Sequence, residues 1–253
     1  MKRLVLVLLD GLSIAAGRRC MSCLAALDEA GQASYGEASS ILPPLSRPAY
    51  AALFSGRPPL SNGILHNDFP SLCPAPTIFQ KAVNLGLVTA AAAYFWVSEL
   101  CNRAPFIAER DRITDDANLP ISHGIFYSCD AYPDEELFRD AEYLRHKHLP
   151  HLLLVHAMGI DFAGHKFGAD SREYRDAART ADGLLARYLP LWLAAGYAAL
   201  VVSDHGMDGE GSHYDATDEN RRVPLWLVGE VRNMTRPCRL VEVADLIAAY
   251  LRV

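Results

Sequence analysis

Residues Leu4 to Leu9 form an unbroken apolar run that Asp10-Gly11 end abruptly. A strand with one wet face alternates polar and apolar residues, whereas an unbroken run suits a strand covered on both faces. Further stretches share that character: Leu87 to Tyr94, Leu152 to His156, Ala198 to Val202 and Val223 to Val228. Between them lie helical patterns over Cys20 to Ala30, Ser46 to Phe54, Ile78 to Leu85, Asp134 to His146, Arg172 to Leu193 and Val241 to Leu251. Strands alternating with helices predict an α/β fold, a doubly wound and mostly parallel sheet with helices on both faces.

A chain of 253 residues fits one such domain. Residues 97–133 have the weakest periodicity and carry turn residues (Asn102, Pro105, Asn118, Pro120, Gly124), so a small excursion over the sheet's edge, a lid, is expected there. The start, Lys2-Arg3 followed by apolar residues, imitates a signal peptide. The run is short, is interrupted by Asp10 and lacks a small-residue cleavage site, so it reads as a buried first strand. No run reaches the roughly 18 apolar residues that cross a membrane. Six scattered cysteines suit a reducing cytosol, and the expected location is cytoplasmic. Cys20 and Cys23 form a C-x-x-C with no second pair to complete a zinc ribbon, and spacing of three on a helix reads as buried free thiols.

The net charge of -6 and the lack of a basic run exclude an evident nucleic-acid surface. Attraction for an anionic substrate has to come from local groups. Candidates cluster where strands end. The first strand runs into Asp10, HLLLV leads to Asp161 and His165, AALVV leads to Asp204 and His205, and His213 follows in GSHYD. In a doubly wound sheet the carboxyl ends of the strands converge on the active site. Three carboxylates and three imidazoles in one crevice are strongly unfavourable without cations, and two divalent ions resolve that. The three aspartates and a serine alkoxide balance their four positive charges. Mixed imidazole and carboxylate donors suit zinc best, with manganese as the alternative.

A nucleophile is available in LPPLSRPAYAALFSGRPPLSNGI. Ser46 stands just before Pro48 and an amphipathic run, at a helix start where free N–H groups and the positive dipole end can hold a phosphoryl group. The local pattern alone favours Ser46 as a helix cap.

With these residues assembled, the chain resembles the alkaline phosphatase superfamily, most of all its nucleotide pyrophosphatase/phosphodiesterase branch. The resemblance runs through VLVLLDG, Ser46 to Ile64 ending in SNGI, AAAYFWVSE, VHAMGIDFAGH, VVSDHGM and HYDATDENRRVPLWLVG. It implies one metal held by Asp161, His165 and His213, and a second held by Asp10, Asp204 and His205 with the Ser46 oxygen. It further implies hydrolysis of a small-molecule phosphoric ester through a phosphoserine.

The chain departs from the branch beside the nucleophile. The usual order there is Thr, an aromatic, Pro and Asn, whereas Ser46, Arg47, Pro48 and Ala49 stand here. Arg47 either binds a phosphoryl oxygen, favouring monoesters, or is a solvated surface charge. Asn67 either contributes to the same oxygens or is a turn residue. A sulfatase needs an Arg four places after its nucleophile, where Tyr50 stands, and a mutase of the superfamily needs a large inserted domain. Phosphotransfer and a metal-holding sensor without turnover remain as further readings. His156 reads as a satisfied core histidine, with a pocket-lining role open.

Overall fold

The computed structural model describes residues 1–252. Eight strands form one sheet: β1 (Arg3–Leu9), β2 (Ala33–Ser39), β3 (Thr89–Tyr94), β4 (Ile113–Asp115), β5 (His123–Tyr127), β6 (Leu152–Ala157), β7 (Tyr197–Val202) and β8 (Arg222–Val228). Their spatial order is β2-β8-β7-β1-β6-β3-β5-β4. The pairs β7-β1, β1-β6, β6-β3 and β3-β5 are parallel, while β2-β8, β8-β7 and β5-β4 are antiparallel. The expected doubly wound, mostly parallel α/β sheet is therefore present, with antiparallel strands at both edges.

The unbroken apolar character of β1 has a direct cause. Leu4, Leu6 and Leu8 point into one core and Val5, Val7 and Leu9 into the other, all fully buried. Around the sheet lie α1 (Ile14–Cys20), α2 (Ser22–Glu29), α3 (Ser46–Ser55), α4 (Pro59–Asn62), α5 (Ile78–Asn84), α6 (Phe95–Cys101), α7 (Ala108–Asp111), α8 (Asp134–His148), α9 (Gly159–Phe167), α10 (Arg172–Ala194), α11 (Asp218–Arg221) and α12 (Glu242–Leu251). Residues of α3, α5 and α12 line the first core, and residues of α2, α8 and α10 line the second. Helix α8 has Glu135 and Glu136 in its first turn and Arg145 and Lys147 in its last, charges that complement the helix dipole.

Two local expectations change. The helix expected over Cys20 to Ala30 is broken at Met21, whose ψ of 62° leaves the helical region. Cys20 thus ends α1 and Cys23 lies in α2, so the two do not share one helical face; all six cysteines are free thiols. Residues 97–133 supply β4 and β5, which make the sheet's edge beside β3. Among the described residues, no helix is long and apolar enough to cross a membrane.

Candidate metal centre and active site

Three neighbouring strands, β7, β1 and β6, deliver ligands at their carboxyl ends. Asp10 follows β1, and its N–H still bonds the carbonyl of Ala157 at 3.0 Å. Ser203, Asp204 and His205 follow β7, while β6 leads into α9, where Asp161 and His165 stand one turn apart. Gly11 lets these ends approach. It has φ of +71°, and a Cβ there would lie 2.9 Å from the Cα of Asp161.

The predicted ligands come together as two adjoining groups. Asp10, Asp204 and His205 form one, and Asp161, His165 and His213 the other; within each, one donor atom per residue lies within 4.8 Å of the rest. In the Asp10 group, His205 Nε2 is 3.3 Å from Asp10 Oδ1 and 3.2 Å from Asp204 Oδ2. Ser46 Oγ joins it at 3.0 Å from the same nitrogen. In the Asp161 group, His165 Nε2 is 3.4 Å from Asp161 Oδ2. The rings of His205 and His213 stack at 3.6 Å and bind the two groups side by side.

The unsatisfied atoms show what the groups are suited to hold. All three histidines turn Nδ1 to a backbone carbonyl: His205 to Gly206 at 2.9 Å, His165 to Gly211 at 2.9 Å and His213 to Pro44 at 2.7 Å. Each Nδ1–H is thereby fixed as a donor, which leaves each Nε2 lone pair free, the usual posture of an imidazole ligand; those of His205 and His165 face carboxylates of their groups. Asp10 Oδ1, Asp161 Oδ1 and Asp204 Oδ2 are buried without a hydrogen-bond partner. Such oxygens are costly unless a cation meets them.

The titration of these groups follows the same logic. Burial drives the carboxyls of Asp161 and Asp204 well above the ordinary range, and the charge of Asp10 adds to the effect. Burial also opposes ionisation of Asp10, but further contributions, led by the hydrogen bond from His156, leave it below its ordinary value. Burial, reinforced by His213, pushes His205 down to about 3, and burial likewise lowers His213. Neutral imidazoles beside carboxyls that cannot all ionise together are a donor set that fits divalent cations.

Ser46 is the first residue of α3, not its cap. Leu45 holds the cap position and makes no side-chain bond. Asn67 lies beside this helix start, accepting the N–H of Arg47 on Oδ1 at 3.1 Å. Of the two readings of Arg47 made from sequence, the structure removes the solvated charge. Its side chain is 2% exposed, so it is no solvated charge. Its guanidinium is bound to the Glu99 carboxylate and to the carbonyl of Phe69, and lies over the Trp96 ring at 5.0 Å. Those partners take up its Nη1 and Nη2, while its Nε is buried without a partner. It anchors the start of α3 from inside.

Sequence reasoning missed Glu99 and Ser203, and weighed Tyr50 and His156 for other reasons. Ser203 Oγ accepts the N–H of Leu12 at 2.9 Å and donates to the carbonyl of His205 at 2.8 Å, tying the ends of β1 and β7 together. Tyr50 follows Ser46 by one helical turn, a spacing that could have placed both on one face.

A third acid-histidine set, Asp115, His123 and His148, is different. It lies at the opposite end of the sheet, where β5 begins. The rings of His123 and His148 stack at 3.7 Å and 15°, so an ion in the plane of one would lie off the plane of the other. His165 and His213, tilted by 54°, have no such conflict.

The fold resembles an inactive variant of murine ectonucleotide pyrophosphatase/phosphodiesterase 5 in complex with AMP, with TM-score 0.73 and 13% identity, covering 100% of this chain and 96% of that one. A 2-O GAG sulfatase is similar with TM-score 0.67 and 13% identity over 100% of this chain and 71% of that one. Phosphonoacetate hydrolase from Sinorhizobium meliloti 1021 follows with TM-score 0.60 and 21% identity over 81% and 56%. In sequence, 111 residues are 31% identical to GPI ethanolamine phosphate transferase 3 of Schizosaccharomyces pombe, which is 44% of this chain and 11% of the relative's length. The chain thus spans about a tenth of that curated relative. Residues 74–220 match the family described as type I phosphodiesterase / nucleotide pyrophosphatase, which is more than half of the chain and takes in most of the ligand set; the chain belongs to that family.

Proposed function

We propose that the protein is a hydrolase of small-molecule phosphoric esters that uses Ser46 as nucleophile beside two divalent cations. Asp10, Asp204, His205 and the Ser46 oxygen would hold one ion, and Asp161, His165 and His213 the other. Nitrogen donors in both groups favour zinc, with manganese the alternative. When bound, such ions neutralise phosphoryl charge and acidify a hydroxyl or water. The observation that carries this reading is the position of Ser46 Oγ, 3.0 Å from His205 Nε2 at the first turn of α3. It joins a nucleophile, a cation group and a helix N-terminus at one point.

The residues divide the work. Ser46 Oγ bonds to phosphorus as the bond from phosphorus to the leaving alcohol breaks, which leaves the phosphoryl group on Ser46. Water then bonds to the same phosphorus and the Ser46 oxygen departs. The N-terminal end of α3 offers its positive dipole to the non-bridging oxygens. Asn67 holds the Arg47 amide with Oδ1 and keeps its own NH2 as a further donor. The Nη atoms of Arg47 are held by Glu99 and Phe69, so they give no support to a preference for monoesters.

The AMP and phosphonoacetate bound in the similar structures support a small anionic substrate. The match to an ethanolamine phosphate transferase favours a second reading, in which an alcohol in place of water takes the group from Ser46. The test is direct. Phosphate mono- and diesters of p-nitrophenol are offered with zinc and with manganese, with and without an acceptor alcohol, and the label on Ser46 is trapped at low pH. Free phosphate or monoester as product supports hydrolysis, and a new ester of the acceptor supports transfer. No release from any ester with either metal, by protein shown to hold its ions, rejects both.

A further inference from the structure

We propose that His156 and Tyr50 are positioning residues that lock one oxygen of Asp10 and thereby leave only the other for a cation. The inference rests on the metal reading above and goes beyond it by assigning work to two residues that are not ligands.

Asp10, Tyr50 and His156 are all fully buried. Asp10 Oδ2 accepts the hydroxyl of Tyr50 and the Nε2–H of His156, the latter at 3.1 Å. Asp10 Oδ1 has no partner and faces His205 Nε2 at 3.3 Å. The two oxygens of one carboxylate are thus given different tasks.

His156 is not explained as core packing. Its Nδ1 is buried and unpartnered, so the ring's hydrogen belongs on Nε2, where Asp10 accepts it. An orphan acceptor of this kind is unfavourable, and an apolar side chain on β6 would remove it. The strand keeps the orphan and gains a donor aimed at Asp10. The Tyr50 ring meets the imidazole edge-on at 4.7 Å, fixing both donors.

Asp204 has the same division made by simpler means. Its Oδ1 accepts the N–H of Gly11 at 3.2 Å, and its Oδ2 is the free atom. For Asp10 no backbone donor does this, and two side chains take its place. Without them Oδ2 would be free to compete for the ion, so the carboxylate could turn or bind through both oxygens. The lock would favour one-oxygen ligation and the low coordination number that zinc prefers.

The experiment is a competition titration of zinc into chelator-treated protein, with the visible spectrum of the cobalt-loaded form as a second readout. Wild type, Tyr50→Phe, His156→Phe and His156→Gln are compared; neither readout uses turnover. Tyr50→Phe and His156→Phe should each weaken one zinc site by about 10–100-fold, leave the other unchanged and alter the cobalt bands. His156→Gln, whose amide can donate to Oδ2, should recover most of the affinity. Unchanged affinity and spectrum in both Phe variants overturn the proposal, as does a Gln variant as weak as the Phe one. A wild type that takes up no ion instead overturns the metal reading, and this proposal with it. Tyr50→Phe removes a single oxygen, so it decides the matter if His156→Phe does not fold.

Discussion

The two ligand groups carry nearly the same donors in different surroundings. Asp10, Asp204 and His205 are fully buried and stand directly at the ends of β1 and β7, whose strands are themselves buried. In the other group the His165 side chain is 40% exposed, on a helix and bonded to the loop at Gly211. An ion in the first group would exchange slowly and serve as part of the fold. One in the second would meet water and the departing group. His165 alone sets that difference, since Asp161 and His213 are buried as well.

The largest effect should come from breaking the link between Ser46 and the buried group. Ser46→Ala should lower turnover by about 10³-fold or more while both ions remain, since each group keeps three side chains. Steady-state rates with metal analysis check this, and near-wild-type turnover would assign the nucleophile elsewhere. Next comes the anchor of the same helix. Arg47→Ala leaves Glu99 buried and uncompensated, which should cost about 3–5 kcal/mol in denaturant unfolding. Rates on mono- and diesters should fall by the same factor, because the guanidinium is bound to Glu99 and Phe69. A loss confined to monoesters would restore Arg47 as a reader of substrate charge.

The comparison itself is tested by His165→Ala against His205→Ala. His165→Ala should weaken a single ion by about tenfold or more, and change metal-free stability by no more than about 0.5 kcal/mol, as at other exposed sites. His205→Ala should lose the other ion and also lower metal-free stability, since it empties a buried site stacked on His213. Isothermal titration and thermal melts after chelation separate the two. Equal stability losses would mean that the groups are not differently embedded.

Much of this centre is legible in the sequence because its ligands sit where apolar strands stop. SDHG after AALVV is the more specific signal, since adjacent Asp and His ending a buried strand have little structural use, whereas Asp10 after LVLVLL gains meaning only beside the other ligands. Other parts were not readable, for physical reasons. The strand β2, ASYGEAS, is mostly half-buried at an edge and carries no apolar run. The break at Met21 shows only as a backbone angle. Arg47 displays its charge in the sequence but not its direction, which Glu99 sets from 52 residues away. His156 looks like the end of a strand until Asp10, 146 residues distant, is placed against it.

The smallest predicted effect concerns the support of the group that meets solvent at His165. Asp134 accepts the N–H of Gly159 at 3.3 Å, at the start of the helix that carries Asp161 and His165. Burial raises its carboxyl from 3.8 to about 6, and this one backbone bond only partly offsets the shift. The folded state therefore holds this proton more tightly than the unfolded chain. Stability contributed by Asp134 is fully present below pH ~4 and falls as pH rises through about 6, where the folded carboxyl ionises. Above that window the ionised group is a cost of about 1–3 kcal/mol. Asparagine keeps an oxygen for Gly159 and cannot ionise. Asp134→Asn should then be more stable than wild type at pH 7.5, with the gain shrinking to nothing near pH 4. Melts of the metal-free proteins across that range measure it, with chelation removing the influence of bound ions on nearby Asp161. A gain of the same size at both ends would show that charge is not its source. A loss at pH 7.5 would show that the ionised carboxylate steadies the start of α9, and that the group holding His165 is better supported than the solvent contact of that histidine suggests.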